Sequence, residues 1–206
     1  MKLYTTPNSP YGRVARVVVI EKQLDSRVSV EPAATRQTDS PYYAINPSGR
    51  VPYLLLDDGT GLEDSRLICA YLDELDGSPT LRAPAGRRGL QDRRIEATAS
   101  SLMDGLSVWA REYIYRAPAL RSDFIIEHEK ARAERLCGLF DGQIDNPVLN
   151  GPLNMAQIIL ACALQAPEGR PPGFEWRERH LRLSAWIGRI GERPSMASTM
   201  PLNSGH

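Results

Sequence analysis

Near residue 80 the hydrophobic rhythm of this chain changes. Before that point short β-prone runs alternate with helix-like stretches; beyond it apolar residues recur only at helical spacing. The break, Asp76 to Gly89, carries Gly77-Ser78-Pro79 and Ala83-Pro84-Ala85-Gly86, two clusters that mark a linker. A chain of 206 residues divided this way predicts two units, residues 1–76 and 89–206, joined by a linker at 77–88.

In the first unit Lys2 to Thr5 is a short β-prone run. Arg13 to Leu24 follows with Val14, Val17, Val18 and Leu24 at helical spacing, although its Val-Val-Val-Ile run taken alone suits a strand. Arg27 to Glu31 alternates as a half-buried strand does. Val51 to Leu56 reads as a strand, Asp57-Asp58-Gly59 as a turn, and Thr60-Gly61-Leu62 as a short return strand. Ser65 to Leu75 reads as a helix with Ile68, Leu72 and Leu75 on one face. A β-α-β start implies parallel pairing, and the later hairpin adds antiparallel strands, so a mixed four-stranded sheet is expected. The second unit predicts an all-α bundle: helices over Gly89–Arg116, Asp123–Ile144, Asn154–Gln165 and Trp176–Ile190, then an irregular tail punctuated by Pro194 and Pro201. Asn154–Gln165 is apolar nearly all round, as a helix inside a bundle is.

Composition narrows the functional classes. Lys plus Arg and Asp plus Glu both total 25, so the global basic excess of a nucleic-acid binder is missing. Hydrophobic residues at 42% argue against disorder. No apolar run approaches the ~18 residues of a membrane span, and Met1 to Tyr4 leads into a strand-like segment rather than a signal peptide's apolar stretch. Neither nucleic acid nor membrane is expected as a partner. Cys69, Cys137 and Cys162 are sparse and far apart, with no disulfide framework and no CxxC pair. A cytoplasmic location is expected. His128, His180 and His206 have no ligand spacing, so no metal is expected.

Three features carry chemistry. Ser9-Pro10-Tyr11-Gly12 lies between the first strand and first helix. A helix start has free N–H groups and partial positive charge that favour an anion such as a thiolate, and a serine there adds a donor. Taken alone, Ser9 is more simply an N-cap with Pro10 at the first helical position. Val51-Pro52 places a proline at a strand start, beside backbone that is free to pair with a ligand. Asp64-Ser65 opens the next helix, where a carboxylate can accept from an ammonium group and a hydroxyl can donate to a carboxylate; plain capping explains each alone.

Together, in this order, the three resemble the cytosolic glutathione S-transferase family, bacterial members in particular. The resemblance spans nearly the whole chain. It rests on Lys2-Leu3-Tyr4 leading to Ser9-Pro10-Tyr11-Gly12-Arg13, on Asn46-Pro47-Ser48-Gly49-Arg50-Val51-Pro52, on Asp64-Ser65-Arg66-Leu67, on the capping segment Asn150-Gly151-Pro152-Leu153-Asn154-Met155-Ala156-Gln157, and on Arg193-Pro194-Ser195. It implies a thioredoxin-like first domain followed by a helical bundle, with glutathione as co-substrate, a small electrophile as second substrate, and a homodimer. Ser9 matches the residue whose hydroxyl meets the glutathione sulfur, with neighbouring Asn8 as the alternative contact. Val51 matches the residue whose backbone pairs with the cysteinyl part, next to a cis proline, Pro52. Asp64 and Ser65 match the pair that holds the γ-glutamyl end, and Arg50 lies where a cation meets the glycyl carboxylate. Tyr11, Trp109 and Tyr113 are candidates to line the hydrophobic-substrate pocket, which the family places between its domains; bundle core is the alternative for Trp109 and Tyr113. In the capping segment Gln157 is expected to complete a box with Asn154.

Three activities fit these residues: conjugation of glutathione to an electrophile, glutathione-dependent disulfide or peroxide reduction, and a non-catalytic interaction module. Glutaredoxins carry Cys-Pro-Tyr-Cys where this chain has Ser9-Pro10-Tyr11-Gly12, so disulfide exchange on the protein's own thiols is not expected here.

Overall fold

A computed structural model describes residues 1–77, 79–165 and 171–202. By their contacts these form two compact units, Met1–Arg82 together with the tail from Pro194, and Ala83–Arg193.

The first unit is built on a four-stranded mixed sheet of order β2-β1-β3-β4. Its strands are β1 (Lys2–Thr5), β2 (Ser29–Pro32), β3 (Tyr53–Leu55) and β4 (Gly61–Glu63). β1 pairs parallel with β2 and antiparallel with β3, and β3 pairs antiparallel with β4. α1 (Pro10–Glu21) connects β1 to β2, and α2 (Ser65–Glu74) follows β4. Leu3 and Leu54, adjacent across the sheet, are fully buried with Val14, Val17 and Val18 of α1 and Ile68 and Leu72 of α2. The valine run is therefore helical. Its members fall on a buried face at helical spacing, Ser9 caps the helix and Pro10 opens it, and together these override the β preference of the residues.

The helix ends are tied by charge. Lys22 and Asp73 have fully buried side chains 3.2 Å apart. The Lys22 ammonium also meets Asp76 at 2.8 Å and donates to the Pro79 carbonyl at 2.6 Å. The Leu81 N–H donates to Asp73 at 2.9 Å, and Leu81 is itself buried. The expected linker 77–88 is thus divided: Pro79 to Arg82 belongs to the first unit, Gly86–Gly89 forms a 3-10 turn leading into the next helix, and Ser78 lies outside the described residues.

The second unit contains α3 (Leu90–Ile114), α4 (Asp123–Gly142), the single turn α5 (Pro147–Asn150), α6 (Met155–Leu164), α7 (Trp176–Arg179) and α8 (Leu181–Gly191). Every residue of α6 is buried, and α3 packs along it. The Asn154 side chain caps α6 by accepting the Gln157 N–H at 3.1 Å. The expected box, in which Gln157 Oε1 would accept the Asn154 backbone N–H, is not formed; the Gln157 amide nitrogen works on the preceding loop instead. It donates to the carbonyls of Val148, Gly151 and Pro152 and so holds the loop before α6. The helix expected over Trp176–Ile190 is two helices, because His180 leaves helical geometry at φ −124, ψ 73.

The tail also differs from expectation. Pro194–Ser198 is a short helix, α9, and it packs on α1 rather than joining the bundle. The buried Arg13 guanidinium donates to the Met196 carbonyl at 3.0 Å and to the Thr199 hydroxyl at 3.3 Å. No helix among the described residues is long and apolar enough to cross a membrane.

Candidate functional site

The pairing register sets up one edge of the sheet. Tyr4 of β1 stands opposite Tyr53 of β3, and Tyr53 opposite Glu63 of β4. β1 leaves the sheet at this edge, β3 enters there and β4 leaves there. One step beyond the row lie the loop to Ser9, the pair Val51-Pro52, and Asp64-Ser65. With strands about 4.8 Å apart, the row from β1 to β4 spans about 10 Å. The topology therefore brings Ser9, Tyr11, Arg50, Val51, Pro52, Asp64 and Ser65 to one edge. Trp109 and Tyr113 belong to the other unit.

Ser9 is the N-cap of α1, and its Oγ accepts the Gly12 N–H at 3.1 Å. That bond occupies a lone pair and leaves the hydroxyl proton available to a ligand. Asn8 Oδ1 is buried with no hydrogen-bond partner among the described residues. Gly12 is needed for close approach. A Cβ there would stand 1.8 Å from Thr5 Oγ1 at the end of β1. Tyr11 is half-buried on the first turn of the helix.

The Val51–Pro52 peptide is cis. Pro52 is buried and Val51 half-buried, and both precede β3, which is shorter than the strand expected over Val51–Leu56. The Arg50 side chain is exposed, whereas its carbonyl is held by the hydroxyl of Tyr42 at 2.5 Å and the amide of Asn46 at 3.0 Å.

Asp64 caps α2, accepting the Arg66 N–H at 2.8 Å, from a backbone at φ 78. A non-glycine residue held there costs about 1–3 kcal/mol, and such residues collect at functional sites. Ser65 begins the helix and is half-buried.

In the second unit Trp109 is core. It is 1% exposed, its ring is edge-on to Phe174 at 5.6 Å, and its indole N–H has no partner among the described residues. Tyr113 is half-buried under the Arg121 guanidinium, 4.5 Å from its ring centre. No disulfide links Cys69, Cys137 and Cys162, and all three are buried. Burial, with the charges of Glu134 and Asp141 added, pushes the Cys137 thiol up to about 12, far from any nucleophilic use at neutral pH. Among the described residues no group of three His, Cys, Asp or Glu side chains could hold a metal ion.

Thr5, Tyr42 and Asn46 were not among the candidates read from sequence. Asn46 had a local signal, an Asn ahead of Pro-Ser-Gly that suits an Asx turn, and its Oδ1 accepts the Ser48 N–H at 3.1 Å. Thr5 and Tyr42 act through contacts that sequence spacing does not encode.

Residues 3–80 match the model of the glutathione S-transferase N-terminal domain. A glutathione transferase family member from Pseudomonas fluorescens Pf-5, solved with bound S-(propanoic acid)-glutathione, is 31% identical, and the match covers 98% of this chain and 100% of that one at a TM-score of 0.86. The chain belongs to the glutathione transferase family. A glutathione S-transferase from Methylobacillus flagellatus KT, solved with glutathione bound, is 28% identical over 98% of this chain and 99% of its own, with a TM-score of 0.87. Glutathione S-transferase 2 of Saccharomyces cerevisiae is 28% identical over 99% of this chain and 91% of its length. The thioredoxin-like first domain and the helical second domain are thus those of a glutathione transferase.

Proposed function

We propose that this glutathione transferase binds glutathione along the Tyr4–Tyr53–Glu63 edge of its first unit and presents the thiolate to a small electrophile. The observation that carries the proposal is the register row itself, which gathers three features from sequence-distant loops. Its span of about 10 Å equals that of an extended tripeptide, at about 3.3–3.6 Å per residue. In this scheme Asp64 and Ser65 take the γ-glutamyl end, Val51 pairs through its backbone with the cysteinyl part beside Pro52, and Arg50 meets the glycyl carboxylate. Ser9 faces the sulfur.

The chemistry follows from the thiol. Its free pKa is about 8.5, and the thiolate is the nucleophile. A donor hydroxyl and a helix N-terminus both favour the anion. The attacking sulfur forms a bond to the electrophile while a leaving group departs or a conjugated bond takes up the electron pair. Gly12 favours this activity over disulfide exchange on protein thiols, since a cysteine at that position would bring its Cβ against Thr5. We further propose that the working form is a cytoplasmic homodimer; light scattering that returned a monomer would reject that assembly.

Calorimetry with millimolar glutathione tests the binding, and absence of heat removes the proposal. Ser9→Ala tests the chemistry. Loss of one charge-assisted hydrogen bond predicts a conjugation rate lower by about ten- to a hundredfold, with glutathione affinity nearly kept and the rate profile moved to higher pH. Loss of the cap alone lowers stability by about 1 kcal/mol and leaves the pH profile in place. Turnover of a disulfide but not of an aromatic halide would identify a glutathione-dependent reductase, and binding with neither activity an interaction module.

A further inference from the structure

The segment that presents Val51 is held from behind by two buried polar side chains. Tyr42 sits in a 3-10 turn, Pro41–Ala44, and is 4% exposed. Its ring lies 5.7 Å from that of Tyr4 in β1, which fixes it against the sheet. Its hydroxyl donates to the Arg50 carbonyl at 2.5 Å. Asn46, 2% exposed, donates to the same carbonyl at 3.0 Å while its Oδ1 accepts the Ser48 N–H. Two donors thus converge on one acceptor.

The Arg50 carbonyl and the Val51 N–H belong to one planar peptide, and in a trans peptide they point in opposite directions. Only the following bond, Val51–Pro52, is cis. Anchoring the Arg50 oxygen inward therefore aims the Val51 N–H away from Tyr42 and Asn46. Hydrogen bonds accepted by a carbonyl also polarise its peptide and strengthen the N–H as a donor.

We propose that Tyr42 and Asn46 are positioning residues for glutathione: by gripping the Arg50 carbonyl they fix and strengthen the Val51 N–H that pairs with the cysteinyl backbone. The inference rests on the glutathione-binding proposal above. Burial, supplemented by the charge of Glu63, pushes the Tyr42 hydroxyl above its ordinary pKa, so the donor keeps its proton throughout the neutral range.

Tyr42→Phe keeps the ring against Tyr4 and removes only the donor. A backbone pairing is made equally in ground and transition states, so its weakening raises KM and leaves kcat in place. The expected result is a glutathione dissociation constant about two- to tenfold higher, with the same factor in KM for glutathione against chlorodinitrobenzene and kcat within twofold. The Val51 amide proton, followed by NMR in the ligand-free protein, moves upfield as its peptide loses a donor. Asn46→Ala acts in the same sense and carries the test where Tyr42→Phe does not fold. A wild-type protein that fails to bind glutathione overturns both proposals. A wild type that binds, with both variants binding equally well or losing only kcat, overturns this one alone.

Discussion

Gly12→Ala sets two effects of opposite sign against each other. Gly12 lies in the first turn of α1 with ordinary helical backbone, and alanine there is intrinsically favoured by up to about 1 kcal/mol. The added Cβ, however, would stand 1.8 Å from Thr5 Oγ1 and 3.1 Å from Thr5 Cβ. An ordinary carbon–oxygen contact is about 3.3 Å, so one group must move by about 1.5 Å. Thr5 is 5% exposed at the end of a paired strand, so little space surrounds it. Overpacking of this kind costs about 1–3 kcal/mol, and an overlap this deep belongs at the upper end. Net destabilisation of about 2 kcal/mol follows, a fall in Tm of about 4–8 °C for a chain of this size. Differential scanning calorimetry measures it. Thr5→Ala removes the offending oxygen, and with it the remaining approach of 3.1 Å needs a shift of only a few tenths of an ångström. The double variant should therefore recover most of the loss, with a coupling energy of about 2 kcal/mol. A Gly12→Ala protein as stable as the wild type, or one that Thr5→Ala leaves unrescued, refutes the close-approach account.

Two further outcomes follow from the buried groups. Burial raises the Asp73 carboxyl, but the Leu81 N–H, Lys22 and the Thr80 hydroxyl outweigh it and hold the pKa below the ordinary value. A depressed pKa means stability that is present above the unfolded value near 4 and is lost as pH falls through the folded value. Asp73→Asn should therefore lower stability by about 3 kcal/mol at pH 7, since among the described residues Lys22 then keeps only Asp76 as an ion-pair partner, and should flatten the acid limb below about pH 4 in urea titrations. For the thiols, native protein should leave Cys137 unlabelled by iodoacetamide at pH 8 over hours, with labelling appearing only in denaturant; rapid native labelling would contradict its burial and its thiol pKa of about 12.

Local periodicity carried much of the fold. The spacing of Ile68 and Leu72 and the all-apolar character of α6 each reflect burial of one element's own residues, which short windows of sequence record. The alternation in residues 27–31 does not: Val28 is buried ahead of β2, but Val30 within it is 48% exposed, so the strand is not half-buried as expected. Cap residues were legible at Ser9 and Asn154, which act on N–H groups three positions on, and less so at α2, where the cap is Asp64 and Ser65, the other capping candidate, is the first helical residue. What escaped is long-range polar pairing. Nothing in the residues around Arg13 marks it as buried, yet it is buried against carbonyl and hydroxyl groups of Met196 and Thr199, more than 180 positions away. Without that contact a five-residue helix after Arg193 is too short to predict. Tyr42 escaped for the same reason: its role depends on where a loop eight residues on returns its carbonyl. His180 breaks a helix whose apolar pattern continues across it.

The two candidate contacts for the sulfur differ in sign, and that bears on which one activates it. A thiolate accepts hydrogen bonds and donates none, so only a donor can stabilise it over the thiol. Ser9 satisfies this after its capping bond is counted, since Oγ uses a lone pair on the Gly12 N–H and keeps its proton. The orphaned atom of Asn8 is Oδ1, an acceptor. That oxygen is buried, so a bound S–H meets it only once the Asn8 side chain turns, and the thiol would then be held as S–H, raising the pKa instead of lowering it. In Asn8→Ala the rate profile should therefore stay in place or move to lower pH, whereas Ser9→Ala moves it upward. An upward shift from Asn8→Ala with none from Ser9→Ala would transfer the activating role to Asn8 through its Nδ2, and α1's N-terminus would then act with an amide donor in place of a hydroxyl.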